Sequence, residues 1–389
     1  MEFCHFLPTR ILFGCGTLNS LHTQALPGKK ALIVISSGKS TRENGYLDRV
    51  QNELEKAGAA YAVYDKILPN PIKKHVMEGA ALAKSERCDF VIGLGGGSSI
   101  DAAKAIAIMA TNPGDYWDYI EGGSGKNQPV KIKPLPIVAI TTTAGTGTEA
   151  DPWTVITKEE TNEKIGGGYD GTFPVLSIVD PELMATVPPE FTAYQGFDAL
   201  FHSTEGYLNR HANPISDLYA LKAISLIAEN LPAAVANGKD RDAREGVALG
   251  NTLAGMVETT SGCTSEHSLE HAMSAYHPNL PHGAGLIMVS CAYYRAFAKH
   301  PACGPRLIEM AKALGKTDAT KPSDFVDALF DLQKRCGVDN LKMSDYQITK
   351  EELPTIEKNA RDTMGGLFEH DPIELTSQDT LAILEESYR

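Results

Sequence analysis

Five side chains in the second half of the chain carry the strongest chemical signal. Asp198 and His202 lie four apart in Asp-Ala-Leu-Phe-His, His267 and His271 repeat that spacing in His-Ser-Leu-Glu-His, and His282 follows in the turn-like Leu280-Pro-His-Gly283. Residues four apart on a helix share a face, and a carboxylate with several imidazoles suits a divalent ion such as iron(II) or zinc(II). Any one of these histidines alone reads as an ordinary surface or capping residue. Five such groups in short segments, in a chain with 11 histidines, read as a site. His211 and His277 lack a partner at this spacing and read as structural or substrate-adjacent. His267-x-x-Glu270-His271 also fits the H-x-x-E-H pattern, in which two histidines hold zinc and the glutamate is the general base of a peptidase. That pattern arises easily by chance in helical sequence, and a peptidase leaves the polar loops of the first half unexplained.

The first of those loops, Gly95-Gly-Gly-Ser-Ser-Ile-Asp101, follows an apolar run ending at Leu94 and opens a helical pattern. Glycine lets the backbone approach a ligand closely, and the unpaired N–H groups and dipole of a helix start favour a phosphate. Ser98 and Ser99 add hydroxyls. The loop is neither G-x-G-x-x-G nor a Walker A sequence, and its spacing alone fits a tight turn with a serine cap equally well. A second polar loop, Thr141 to Glu149, alternates threonine with glycine at the end of another apolar run. Ligands of open α/β sheets bind beside the carboxyl ends of strands, so both loops are candidates for one ligand.

Positioning these groups requires two kinds of scaffold. Short β-branched runs at 31–35, 60–64, 90–94, 136–140 and 175–179 alternate with helical stretches around Leu47 to Leu54, Val76 to Lys84 and Ile100 to Met109, the signature of a doubly wound parallel sheet. After Pro188-Pro189 alanine and leucine recur at helical spacing and no strand is expected. The expected domains are therefore an α/β half, 1–188, and an all-α half, 189–389. Composition frames the chemistry: 42 % hydrophobic residues and a formal charge of −13 fit a globular protein with a small-molecule ligand and disfavour nucleic acid or an anionic membrane. An odd set of seven scattered cysteines argues against a disulfide framework. The absence of a signal-like N-terminus and of an uninterrupted apolar span makes the cytoplasm the expected location.

Taken together, the motifs resemble the iron-containing (group III) alcohol dehydrogenase family. The likeness rests on Gly95-Gly-Gly-Ser-Ser-Ile-Asp-Ala-Ala-Lys104, Thr142-Thr-Ala-Gly-Thr-Gly-Thr-Glu149, Asp180-Pro-Glu-Leu183, Gly196-Phe-Asp-Ala-Leu-Phe-His202 and His267-x-x-x-His271 leading to Pro281-His-Gly283. It implies a Rossmann-like α/β domain followed by an all-α domain, in the architecture of dehydroquinate synthase. It also implies hydride transfer between a nicotinamide cofactor and a small primary alcohol, diol or aldehyde. Asp198, His202, His267 and His282 would bind Fe2+, with Zn2+ accepting the same donors, and His271 would relay a proton. The interval from His271 to His282 is one residue longer than in the best-known members, which leaves His277 as an alternative occupant of that turn.

Gly95, Gly96, Gly97, Ser98, Ser99 and Asp101 would hold the pyrophosphate, and Thr142, Thr143 and Thr146 would lie along the nicotinamide. NAD-using members resemble one another in an aspartate at the end of the first strand. Here the segment reads Ser36-Ser37-Gly38-Lys39-Ser40-Thr41-Arg42, and with no acid and two cations in it, Ser37, Gly38 and Ser40 are expected to favour NADP(H) over NAD(H). Trp153, Tyr169 and Phe201 are candidate pocket walls, and a homo-oligomer is expected by analogy. Within the wider superfamily a glycerol dehydrogenase or a dehydroquinate-synthase-like lyase would share fold and metal.

Overall fold

Alternating β and α segments build a parallel sheet because each strand, covered on both faces, must be apolar along its length. The computed structural model describes residues 2–389 and divides into two compact units. The first, Leu7–Thr143 with Gly147–Thr186, contains β1 (Arg10–Phe13), β2 (Lys30–Ser36), β3 (Ala60–Ile67), β4 (Phe90–Gly95), β5 (Ile137–Thr141), β6 (Thr154–Lys158), β7 (Glu163–Gly167) and β8 (Leu176–Val179). Six strands form one parallel sheet in the order β1-β8-β5-β4-β2-β3, and β6 and β7 form a separate antiparallel hairpin. Its helices are α1 (Ser40–Glu43), α2 (Tyr46–Lys56), α3 (Lys73–Ser85) and α4 (Gly97–Thr111).

Alternate strand residues Ile33, Ile35, Phe90, Ile92, Leu94, Val138, Ile140 and Ile178 bury one sheet face against Leu47, Val50 and Leu54 of α2. Each such aliphatic side chain contributes roughly 1.5–3 kcal/mol of transfer free energy. On α4, every residue from Ser99 to Met109 is buried, so this helix is covered on all sides where a surface helix would be striped. It starts directly at the end of β4, which is what aims its N-terminus at the strand's carboxyl end.

The helical unit comprises Met1–Phe6, Ala144–Thr146 and Val187–Arg389. The sequence reading assigns the two short pieces to the first half; they cluster instead with the helices. Its elements include α5 (Pro189–Leu208), α6 (Pro214–Ala236), α7 (Arg241–Thr260), α8 (Ser265–Tyr276) and α9 (His282–Ala298), with further helices to Ser387. Pro189 sits in the first turn of α5, where its missing N–H costs nothing. Among the described residues α6 alone is long and apolar enough to cross a membrane by length and composition. It packs on α5 and α7, with Ala220, Ala223, Ile224, Ile227 and Leu231 fully buried.

Candidate metal and nucleotide sites

The helical unit brings Asp198, His267 and His282 together, with His202 against Asp198 and His267. Asp198 and His202 stand one turn apart on α5, His267 on α8, and His282 is the first residue of α9, set by Pro281 before it. Around Asp198 Oδ1 lie His282 Nε2 at 3.4 Å, His267 Nε2 at 3.6 Å and His202 Nδ1 at 3.7 Å. The rings of His202 and His267 stack with centroids 4.4 Å apart. Asp198 Oδ1 and His267 Nε2 are buried without a hydrogen-bond partner, a costly condition for polar atoms. Donors bound to a common ion at about 2.1 Å are themselves about 3 to 3.4 Å apart; the His282 separation meets that range, and those of His267 and His202 exceed it by a few tenths of an ångström. A carboxylate with imidazoles is also the right donor chemistry for iron or zinc.

Burial opposes the charge on Asp198, yet His202 and His282 hold its carboxyl well below the usual carboxylate range. Burial pushes His202 down to about 3, which keeps that imidazole neutral with a lone pair to give. Burial would lower His267 as well, but the Glu205 carboxylate against it holds it well above the ordinary histidine value.

His271 lies beside this cluster, its ring centroid 5.3 Å from that of His282 and 6.2 Å from that of His267, with Nδ1 2.9 Å from the Met364 sulfur. His277 is not in the cluster: it ends α8, with Nε2 3.5 Å from Glu352. The longer interval therefore leaves His282, not His277, beside Asp198. The peptidase reading fails on Glu270, whose carboxylate is buried and bonded to His282 Nδ1 rather than turned toward a water on an ion.

In the α/β unit the two polar loops meet. Thr142 N–H donates to Gly95 O at 2.9 Å, and Thr141 Oγ1 donates to Thr143 O at 2.8 Å. Gly95 has φ of +148°, and a Cβ there would lie 2.6 Å from Ser99 Oγ, so glycine is required. Gly97 and Ser98 open α4 with the unpaired N–H groups that suit a phosphate. Ser98 and Asp101, expected at the pyrophosphate, have side-chain partners within the protein. The Ser98 hydroxyl donates to Pro69 O. Asp101 is spent inside the protein: it accepts from Thr148 Oγ1 at 2.7 Å and Val155 N–H at 2.9 Å, and so ties α4 to the second loop and β6. Lys104, with no exposure, completes that tie through Thr148 Oγ1 at 2.6 Å, Asp151 Oδ1 at 3.0 Å and Trp153 O at 2.8 Å. Thr146 clusters with the helical unit, and Thr142 and Thr143 with the α/β unit.

At the end of β2 a cavity of about 220 Å³ is lined by Ser36, Ser37, Gly38, Lys39, Arg42, Glu43 and Asp65. Ser40 opens α1 and does not line it. The segment itself has no acid in its first seven residues, but β3 supplies Asp65, 2.6 Å from Arg42, and α1 supplies Glu43.

Residues 8–181 match the family described as iron-containing alcohol dehydrogenase, and residues 192–388 match its C-terminal region. The chain belongs to the iron-containing alcohol dehydrogenase family. It is 34 % identical over 386 residues to alcohol dehydrogenase 4 of Saccharomyces cerevisiae (strain YJM789), covering 98 % of each chain. It is 32 % identical over 391 residues to the NAD-dependent methanol dehydrogenase of Bacillus methanolicus, covering 98 % of this chain and 99 % of that one. The archaeal halo-thermophilic Red Sea brine pool alcohol dehydrogenase ADH/D1 superposes with a TM-score of 0.94 at 34 % identity, over 100 % of this chain and 99 % of that one. The chain is accordingly an oxidoreductase acting on alcohols, with a metal and a nicotinamide dinucleotide as its cofactors.

Within this dehydrogenase, several residues beside the donors escaped the sequence reading. Glu205 stands one turn beyond His202 on α5 and bonds His267 Nδ1. Gly145 O faces His202 Nδ1 at 3.3 Å. The Cys263 thiol lies within 4.8 Å of donor atoms of His202 and His267. The place of Glu205 on the face of Asp198 and His202 was legible, seven residues after the one and three after the other, but its partner on α8 was not. Phe201, a candidate pocket wall, is instead core, with no exposure and packed between Phe197 and Tyr294 at centroid distances of 5.9 and 6.3 Å.

Proposed function

We propose that Asp198, His202, His267 and His282 hold the metal, that His271 carries the proton, and that the substrates are small primary alcohols, diols and their aldehydes. The observation that carries this reading is the buried Asp198 Oδ1, ringed by imidazole nitrogens of His202, His267 and His282 at 3.4 to 3.7 Å and hydrogen-bonded to none. When bound, a divalent ion supplies Lewis-acid polarisation of the substrate oxygen and the nicotinamide gives or takes the hydride.

The chain's own part is binding and proton handling. Asp198 supplies the one negative charge among the four donors, which lowers the net charge of the site. His202, kept neutral by burial, has Gly145 O against its Nδ1, which leaves its lone pair on Nε2. His271 lies one turn from His267, near enough to take the proton released from an alcohol and return it to an aldehyde. Gly96, Gly97 and the first-turn N–H groups of α4 bind the pyrophosphate, Gly95 shapes their approach, and Thr142 and Thr143 offer hydroxyls on the nicotinamide side. Short alcohols as first trials are supported by the name of the Bacillus methanolicus relative.

For the cofactor, NADP(H) over NAD(H) is favoured by Ser37, Gly38 and Lys39 at the end of β2, and opposed by Asp65 and Glu43 in the same cavity. Iron(II) follows the family, with zinc(II) as the competing ion for the same donors. A homo-oligomer is supported by exposed Phe3, Phe6, Phe191 and Leu218 on the helical unit. The test is to load the purified chain with iron(II) or zinc(II) and follow oxidation of NADPH and NADH with short aldehydes. Metal-dependent turnover, higher kcat/KM with NADPH and a shift toward NADH in Gly38→Asp support the reading; absence of turnover with either cofactor and either metal overturns it.

A further inference from the structure

We propose that Glu205 and Glu270 are positioning residues for the metal: each accepts the Nδ1–H of one histidine, Glu205 from His267 and Glu270 from His282. Each thereby fixes the tautomer that presents Nε2 to the ion. The inference rests on His267 and His282 being ligands. An imidazole gives a lone pair from one nitrogen only when the proton is on the other, and an acceptor at that other nitrogen sets both tautomer and ring orientation. Both halves of this arrangement are present twice. Nδ1 of each ring faces a carboxylate, and Nε2 of each ring faces Asp198 Oδ1, at 3.6 Å from His267 and 3.4 Å from His282.

The carboxylates are themselves held. Glu205 has no exposure, and its Oε2 accepts from Thr264 N–H at 2.8 Å and Thr264 Oγ1 at 2.9 Å, which leaves Oε1 for His267. Thr264 Oγ1 lies 2.9 Å from Tyr293 OH, which donates to Asp371 Oδ1 at 2.9 Å, so the orientation of Glu205 is continued into α9 and beyond. Glu270, also without exposure, is admitted by a glycine on the facing helix: a Cβ at Gly285 would lie 2.7 Å from Glu270 Cγ. Glu270 and Gly285 thus form a matched pair, three residues after His267 on α8 and three after His282 on α9. His271 differs from both rings, since its Nδ1 faces the weakly accepting sulfur of Met364.

The test measures metal affinity by chelator competition with zinc(II), and the ligand-field spectrum of the cobalt(II) form, for Glu205→Gln and Glu270→Gln. Circular dichroism of the metal-free chains checks the fold, and Asp198→Ala and His267→Ala serve as ligand controls. Expected are controls that lose the ion and glutamine variants that fold as the parent does, bind zinc(II) about ten- to a hundredfold more weakly and show a shifted cobalt spectrum. If the controls lose the ion while both glutamine variants bind as the parent does, this inference is overturned and the ligand assignment stands. If the controls bind as the parent does, the ligand assignment fails and takes the inference with it. Should a glutamine variant not fold, Glu205→Asp and Glu270→Asp keep the charge but withdraw the oxygen. Weaker zinc binding in these supports the proposal, and parental affinity overturns it.

Discussion

At the scale of residues, what separates a ligand from its neighbour is which nitrogen faces what. His267 and His282 turn Nε2 toward Asp198, and His271 stands just outside, so substitutions at these positions should fail in different ways. Asp198→Ala should bind no metal and show no turnover. His271→Ala should keep its metal and lose roughly 10²- to 10⁴-fold in kcat, the usual contribution of a positioned acid–base group; metal analysis beside steady-state kinetics separates the two. Asp198 and His202 were legible in the sequence because a helix writes a shared face as an i,i+4 spacing; the same spacing paired His267 with His271, which stands outside the cluster, and His282 was legible only through its turn. The roles of Glu205 and Glu270 were not, since a carboxylate at helical spacing resembles a solvated face. Glu205, moreover, meets a partner 62 residues away, a relation no local pattern encodes. Asp65 was missed for the same reason: it reaches the cavity from the neighbouring strand β3.

At the scale of elements, the two candidate sites are built by different means. On α8 and α9 the proposed metal donors flank a close helix contact at Gly285, so Gly285→Ala should weaken metal binding by displacing Glu270, read as lower metal content after dialysis at equal folded protein. In the α/β unit, α4 is fastened to the second polar loop by Lys104 with Asp101, Thr148 and Asp151. Lys104→Met leaves the buried Asp151 uncompensated and should cost on the order of 3–5 kcal/mol, visible in denaturant unfolding. The long apolar strands announced themselves by composition. β1 did not, being a four-residue edge strand that begins with Arg10. β6 and β7 did not either, because Thr154-Val-Ile-Thr-Lys158 and Glu163-Lys-Ile-Gly-Gly167 are short and half polar, and their hairpin turns through Asn162 at φ +50°.

For the molecule as a whole, buried carboxyls make stability depend on pH in a predictable direction. Burial pushes Asp371 up to about 7, against hydrogen bonds from Ser265 N–H, Ser265 Oγ and Tyr293 OH that pull it down. Burial likewise pushes Asp101 up to about 6, against Lys104. A carboxyl raised in the folded state stabilises fully below its unfolded value near 4 and loses that contribution as pH rises through the folded value. Between pH 4.5 and 7.5 the melting temperature of the parent should therefore fall relative to that of Asp371→Asn, which keeps the acceptor oxygen and cannot ionise. Parallel melting curves across that range would show that Asp371 is not raised.

The central claim is that one divalent ion sits among Asp198, His202, His267 and His282 and is required for alcohol oxidation. The most direct measurement is equilibrium metal content per chain, with NAD(P)-linked turnover on the same samples, for the parent, Asp198→Ala and His267→Ala. About one iron or zinc per parent chain, its loss in both variants and the parallel loss of turnover are predicted. Retention of a full metal equivalent in both variants, or parental turnover after the metal is gone, would contradict it.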